Sequence, residues 1–315
     1  MLFRHAALAL ALIFTSITAS AEATRVVKDA QGNEVIVPET PLRVITLSEI
    51  DLDATIALGM TPIGTVNGRG QQTLPRYLMS EIAGPIQIVG DLNRPNMEAI
   101  LELEPDLILT MPNRPEVIAL LNEIAPTVVT FSYGENWQNV FTRTANILNR
   151  NEQASAFMTR YNQAVTDAKA AIGDKLGQSI SVVRWNPKGP AYMFRDSFAS
   201  QVIYDAGMVR PPHQQDKGHT HSQSLSLEAL HHLEGDWMVI GTLSTNGEAV
   251  DAMEQAKSTP AFKQLQVIQA QRYAAVDGSL WTSVGGPLAA LSVLKDIVNL
   301  VNQPTATPLA RTLEP

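Results

Sequence analysis

The stretch from Asn151 to Ile172 contains neither glycine nor proline, and it divides two segments of a different kind. Within it Ala154, Phe157, Tyr161 and Val165 recur at three- and four-residue spacing, the period of one helix face. Gly173 and Gly177 follow and terminate the pattern. At 1.5 Å per residue such a helix is roughly 30 Å or more in length, enough to pass from one lobe of a protein to another.

On either side the chain alternates short apolar runs with helical patterns. Thr24 to Pro41 reads as a hairpin turning at Gln31-Gly32-Asn33. Strands are then expected at Arg43–Leu47, Pro62–Val66, Ile86–Val89, Asp106–Thr110 and Thr127–Phe131. Helices are expected at Ser48–Leu58, around Pro75–Ala83, at Asn96–Leu103 and Arg114–Ile124, then at Glu135–Asn149. After Gly177 a second series begins, with strands Ser179–Trp185, Asp236–Gly241 and Arg272–Val276 and helices Asp196–Asp205 and Pro287–Val301. Repeated βα units build mostly parallel sheets covered by helices. The expected fold class is α/β: two α/β lobes, at 22–149 and 174–302, joined by one rigid helix at 150–173. A ligand would sit between the lobes, where the carboxyl ends of the strands meet.

The first residues fix the expected compartment. Arg4 and His5 precede an apolar run, Ala6 to Phe14, and then Ala19-Ser20-Ala21. That is the form of a cleaved secretory signal peptide, here 1–21, and the run is too short to span a bilayer. The sequence has no cysteine, so neither a disulfide nor a lipid-anchored cysteine is expected. The tail 303–315, rich in Pro, Thr and Ala, is expected to be flexible. The leader holds one of the 23 Lys+Arg and none of the 31 Asp+Glu, so its removal takes the formal net charge from −8 to −9. An acidic balance argues against nucleic-acid binding. There is no G-x-S-x-G, H-E-x-x-H or P-loop, and no catalytic residue is expected.

Four segments, in order, resemble one family. PETPLRVITLS at 38–48 is similar to the opening of the periplasmic siderophore, haem and vitamin B12 binding proteins. Pro95-Asn96-Met97-Glu98 through Leu103-Glu104-Pro105-Asp106-Leu107-Ile108 resembles a second family run. Leu225-Ser226-Leu227-Glu228-Ala229-Leu230 resembles a third, and Trp281 with Gly285-Gly286-Pro287 a fourth. VVRWNPKGPAYMF at 182–194 looks most like the iron–siderophore branch. The resemblance implies two lobes that open and close only slightly, no catalysis and no resident cofactor. It implies a ferric siderophore as ligand, an ABC permease dimer of the inner membrane as partner, and a monomer in the periplasm.

The candidate ligand residues lie on loops that follow strands. Arg is suited to carboxylate, hydroxamate or catecholate oxygens through its planar fork. Arg184 stands in the apolar run Ile180 to Trp185, where an unpaired charge is costly, so it faces either a ligand or an internal salt bridge. Trp281 corresponds to the family's cleft tryptophan, with core packing under the last helix as the alternative. Trp185 points either to the cleft or into its lobe. Arg69, Arg94 and Arg114 are loop arginines that bind ligand or are merely solvated, and Arg195 could instead brace the helix after it. His219 and His221, in Gly218-His219-Thr220-His221-Ser222, could hydrogen-bond a chelate, and no direct metal site is expected there. Tyr133, Tyr192 and His213 are lesser candidates. The resemblance also gives Glu98 and Glu228, each at a helix start, a docking role toward the permease. Haem, cobalamin or a bare divalent metal on the same architecture is the alternative ligand, and a periplasmic enzyme is the rival of another class.

Overall fold

The computed structural model describes residues 23–302; the expected leader and tail lie outside the described residues. A hairpin opens the chain, β1 (Thr24–Lys28) pairing antiparallel with β2 (Glu34–Pro38). Then come β3 (Val44–Thr46), α1 (Glu49–Ala57), β4 (Gly64–Thr65), β5 (Gln87–Ile88), β6 (Gly90–Asp91) and β7 (Arg94–Pro95). They are followed by α2 (Met97–Glu102), β8 (Leu107–Thr110), α3 (Pro115–Ile124), β9 (Thr127–Val129) and α4 (Trp137–Ile147). The long helix α5 (Asn151–Ile172) leads to β10 (Ile180–Asn186), β11 (Gly189–Tyr192), α6 (Phe198–Asp205) and β12 (Trp237–Gly241). The chain closes with α7 (Glu248–Ser258), α8 (Pro260–Lys263), α9 (Gln266–Gln269), β13 (Tyr273–Ala275), α10 (Gly278–Trp281) and α11 (Pro287–Asn302).

The first lobe carries a parallel sheet in the order β5-β4-β3-β8-β9. The second carries β11-β10-β12-β13, parallel except for β11, which returns antiparallel along the edge. The strands of both sheets are apolar and mostly buried, as expected when helices cover both faces.

Helix ends follow local chemistry. Ser48 caps α1 in extended conformation, its hydroxyl accepting from the Asp51 amide at 3.2 Å. The Asn96 carboxamide accepts from the first-turn amides of Glu98 and Ala99. At the end of α5, Gly173 takes a φ of +61°, the left-handed region that L side chains avoid.

Two expectations need correction. The helix read around Pro75–Ala83 is a single 3-10 turn, Arg76–Leu78. There the Arg76 amide is bonded to Gln71 Oε1 and its guanidinium is drawn to Asp277 of the other lobe, so tertiary contacts replace the helix. The segment around Glu228 is also a 3-10 helix, Leu227–Leu233, and not an α-helix.

The core explains how the lobes are held. One apolar cluster runs from Val27, Val44 and Leu107 of the first lobe through Trp137, Phe141, Phe157 and Tyr161 of α4 and α5. It continues to Ile180 and Val182 of the second sheet and to Val293 and Ile297 of α11. Each lobe has a smaller cluster of its own on the far face of its sheet. Removing aliphatic side chains of this size from water stabilises by about 1.5–3 kcal/mol each, so the shared cluster fixes the lobes firmly.

Candidate functional site

A cleft with a cavity volume of about 250 Å³ lies between the lobes. The first lobe lines it with Ile50, Arg69 and the loop Phe131–Glu135; the second lines it with Arg184, Met193, Phe198, the 219–221 loop and the 282–285 loop.

Behind the lining lie the buried acids of α1, which hold the two lobes' loops in place. Glu49 accepts from the Arg69 amide at 2.8 Å and from Ser283 Oγ of the opposite lobe at 3.0 Å. Burial pushes its carboxyl upward, against the pull of the Arg69 and Ser283 hydrogen bonds. Asp51 is raised to about 6 by burial, although the Ser48 and Thr130 hydroxyls donate to it. Asp53 is raised to about 7 by burial. It accepts from the amides of Leu288 at 2.8 Å and Ala289 at 2.9 Å and from the Tyr77 hydroxyl at 3.1 Å. A first-lobe carboxylate therefore caps a second-lobe helix, where negative charge is favoured. Gly286 is required at this contact: a Cβ there would stand 2.7 Å from the Asp53 carboxyl carbon. Nearby, Arg76 and Asp277 form an ion pair across the lobes at 2.7 Å.

Within the cleft two guanidiniums converge, one from each lobe. Arg184, on β10, is 7% exposed. Its Nε donates to Thr282 Oγ1 at 2.9 Å and its Nη2 to the Thr282 carbonyl. No carboxylate pairs with it among the described residues, so the internal salt bridge is not what the structure contains. Its pKa falls to about 10, chiefly through burial and then through the charge of Arg69. The Arg69 guanidinium makes no hydrogen bond or ion pair among the described residues; only its amide is bonded, to Glu49. The carboxylates that line the cleft are already engaged. Glu135 is paired with Arg143 at 2.5 Å, and Asp196 accepts from the Gly218 amide at 2.8 Å and lies 3.3 Å from Arg195 Nε. What remains is a concentration of positive charge.

The other sequence candidates separate clearly. His219 and His221 line the cleft; His219 stacks on Tyr133 of the opposite lobe at 5.4 Å, and His221 Nδ1 lies 2.8 Å from the Ser222 carbonyl oxygen. Arg114 is exposed beside the cleft, on a neighbouring hollow. Trp281 takes the core-packing alternative: it is fully buried in the shared core, its Nε1 donating to Asp296 of α11 at 3.1 Å. Trp185 likewise points into its lobe, edge-on to Phe262. Arg94 is solvated and lies 3.4 Å from Asp91, away from the cleft. Arg195 braces the start of α6 through Asp196. Tyr192 donates to Asp216 and His213 Nε2 lies 2.9 Å from the His232 carbonyl oxygen, and neither lines the cleft. Glu98 and Glu228 are exposed, one on each lobe, and the Ser226 hydroxyl holds the Glu228 carboxyl below its usual range.

Tyr133 lines the cleft, and the α1 acids brace the loops behind it, which the sequence reading did not single out. The signal for the acids was Ser48-Glu49-Ile50-Asp51-Leu52-Asp53: acids alternating with apolar residues just after a buried strand cannot all face solvent on a helix. Among the described residues no group of three or more His, Cys, Asp or Glu is placed to hold a metal ion.

Comparison with known proteins is consistent with this geometry. Residues 44–274 match the model of the family described as periplasmic binding protein. The chain is 31% identical over 286 residues to the probable siderophore-binding lipoprotein YfiY of Bacillus subtilis, covering 88% of each. Staphylococcus aureus SirA complexed with staphyloferrin B shares the fold at a TM-score of 0.76 and 23% identity, over 89% of this chain and 99% of that one. Bacillus subtilis FeuA complexed with ferri-bacillibactin does so at 0.75 and 20%, over 89% and 98%. Identity at the level of these two structures speaks for the fold alone, but the family match extends over most of the sequence, and the chain belongs to the periplasmic binding protein family.

Proposed function

We propose that this protein captures an anionic ferric chelate of the siderophore type between its lobes and delivers it to an ABC importer of the inner membrane. The observation that carries the reading is the convergence of Arg69 and Arg184, from opposite lobes, on one cavity where neither guanidinium has an ion-pair partner among the described residues. Two buried or half-buried cations of like sign repel each other, and an anion placed between them removes that cost. Guanidiniums bind the outer oxygens of a chelate, so iron arrives already wrapped and the protein does no covalent chemistry. The siderophore-binding name of the relative at 31% identity supports the same reading. On this reading the chain acts as an exported protein.

Trp137 forms part of the cleft wall, so tryptophan quenching reports on occupancy. A titration with ferric siderophores, haem, cobalamin and free Zn²⁺ or Mn²⁺ is expected to give micromolar or tighter binding for at least one ferric siderophore. Tight stoichiometric binding of a bare divalent ion to EDTA-treated protein, with none for any siderophore, would overturn the proposal.

The docking part of the reading rests on Glu98 and Glu228. Both start a helical turn, which accounts for them as local stabilisers. One exposed carboxylate per lobe also matches a two-fold symmetric partner with basic pockets, and such contacts govern register and association rate. The double variant Glu98→Ala/Glu228→Ala is expected to bind ligand normally and to impair uptake more than either single change. Normal uptake at normal protein levels would return both residues to a purely local role.

A further inference from the structure

The cleft continues past its own wall. Tyr133, which closes one side of the cavity, is also the rim of a second, open hollow lined by Leu92, Asn93, Met111, Asn113 and Arg114. Its ring is 46% exposed, stands edge-on to Phe131 at 5.8 Å and lies flat against His219 at 5.4 Å with 15° between the planes. Since His219 belongs to the other lobe, the two rings form a partition to which each lobe contributes one half.

Size decides what this partition means. Sites for organic ligands enclose about 300–1,000 Å³. The inner cavity, at about 250 Å³, falls short of that range while the rings are stacked. A chelate that saturates iron from a single organic scaffold must therefore extend over Tyr133 or displace it. On the far side the Arg114 guanidinium makes no ion pair or hydrogen bond among the described residues; its amide alone is bonded, to Asn113 Oδ1 at 2.8 Å.

The chemistry of both compartments points the same way. Trp137, Trp185 and Trp281 are all buried, and the rings of Tyr133 and His219 are already stacked on each other. Guanidiniums on both sides of the partition suit carboxylates, which accept paired hydrogen bonds from the planar fork.

We propose that the ligand straddles the Tyr133–His219 partition. Its most anionic part lies between Arg69 and Arg184, and a further carboxylate outside the iron-binding core is received by Arg114 with Asn93 and Asn113. The hollow is then the subsite that selects extended ferric polycarboxylate chelates over compact ones. This rests on the reading of the cleft as a ferric-chelate site.

The test compares two probes, ferric citrate as the compact chelate and ferric staphyloferrin B as the extended one, by tryptophan quenching. Arg114→Glu is expected to weaken the extended probe at least tenfold more than the compact one. Arg114→Lys, which keeps the charge, should restore most of that difference. Arg114 is exposed, so circular dichroism of both variants should match the wild type. Equal effects on the two probes, or no effect on either, would overturn the subsite while leaving the cleft reading in place. Failure of the wild-type protein to bind either probe would overturn the cleft reading for this class of chelate, and the subsite with it.

Discussion

Arg184 and Arg210 belong to the same lobe and are both removed from water, at 7% and 1% exposure, yet their surroundings are opposite. The Nη atoms of Arg210 end on three acceptors: the Ile180 carbonyl, the Met193 carbonyl and Gln214 Oε1. Gln214 in turn donates to Ser181 Oγ and to the His232 carbonyl, so these contacts stay within the lobe. Arg184 reaches only Thr282, borders a cavity and faces a second cation. Burial lowers both, Arg210 to about 9 and Arg184 to about 10, where Arg69 adds to the effect. Burial alone therefore does not separate a structural arginine from a binding one. What the group faces does: Arg210 spends its Nη atoms on acceptors inside its own lobe, its buried Nε lacking a partner among the described residues, whereas Arg184 borders a cavity and a second cation.

The largest effect expected from this contrast is on stability. Arg210→Met strips three buried acceptors of their donor, and each acceptor left unsatisfied costs about 1–3 kcal/mol. We expect urea unfolding to show a loss of about 3–5 kcal/mol, with ligand affinity in the surviving folded fraction little altered. A loss below 1 kcal/mol would mean that the network is not structural and would break the comparison. Arg184→Met should do the reverse. Ligand affinity should fall by about 1.5–3 kcal/mol, the range for losing a hydrogen bond to a charged group. The melting temperature should hold or rise, because an unpaired buried charge is replaced by an apolar chain of similar volume. A sharp fall in melting temperature with unchanged affinity would place Arg184 in the same class as Arg210.

The smallest effect concerns the anionic side of the same contrast. Asp53 accepts hydrogen bonds at both carboxylate oxygens, yet its pKa is raised to about 7 by burial. Its folded state holds a proton that the unfolded chain releases near pH 4, so its contribution to stability is complete below about pH 4 and is lost as pH rises toward 7. Asp51, raised to about 6, and Glu49 act in the same direction. Asp53→Asn keeps an acceptor for α11 and removes the titration. The fall in thermal stability between pH 4 and 7 should become shallower, by about 1.4 kcal/mol per pH unit at its steepest. An unchanged slope would show that Asp53 remains ionised across this range.

How far the sequence carried is best judged from single positions. The limits of α5 were legible because its apolar period and Gly173 are both local, and Ser48 announced α1 for the same reason. Arg184 was legible because a charge inside an apolar strand demands an explanation. The choice between cleft and core for Trp281 was not legible, because its direction is set by a one-turn helix and by Asp296, fifteen positions on in α11. The Tyr133–His219 stack joins two loops of opposite lobes, and no local pattern foretells such a contact. Between Thr242 and Gln271 no clear pattern was legible, and α7 there buries only Met253 and Ala256.

The shared apolar cluster has a consequence for dividing the protein. A polypeptide severed after Gly173 would keep Phe157, Tyr161 and Ile172 on one piece and leave Ile180, Val202, Val293 and Ile297 on the other. Each half would then present a broad greasy face to solvent, of the kind that drives chains to clump. The two lobes look like separable modules in their sheets, but they are inseparable as folding units, and recombination between homologous genes at this helix would have to exchange both sides of the seam together.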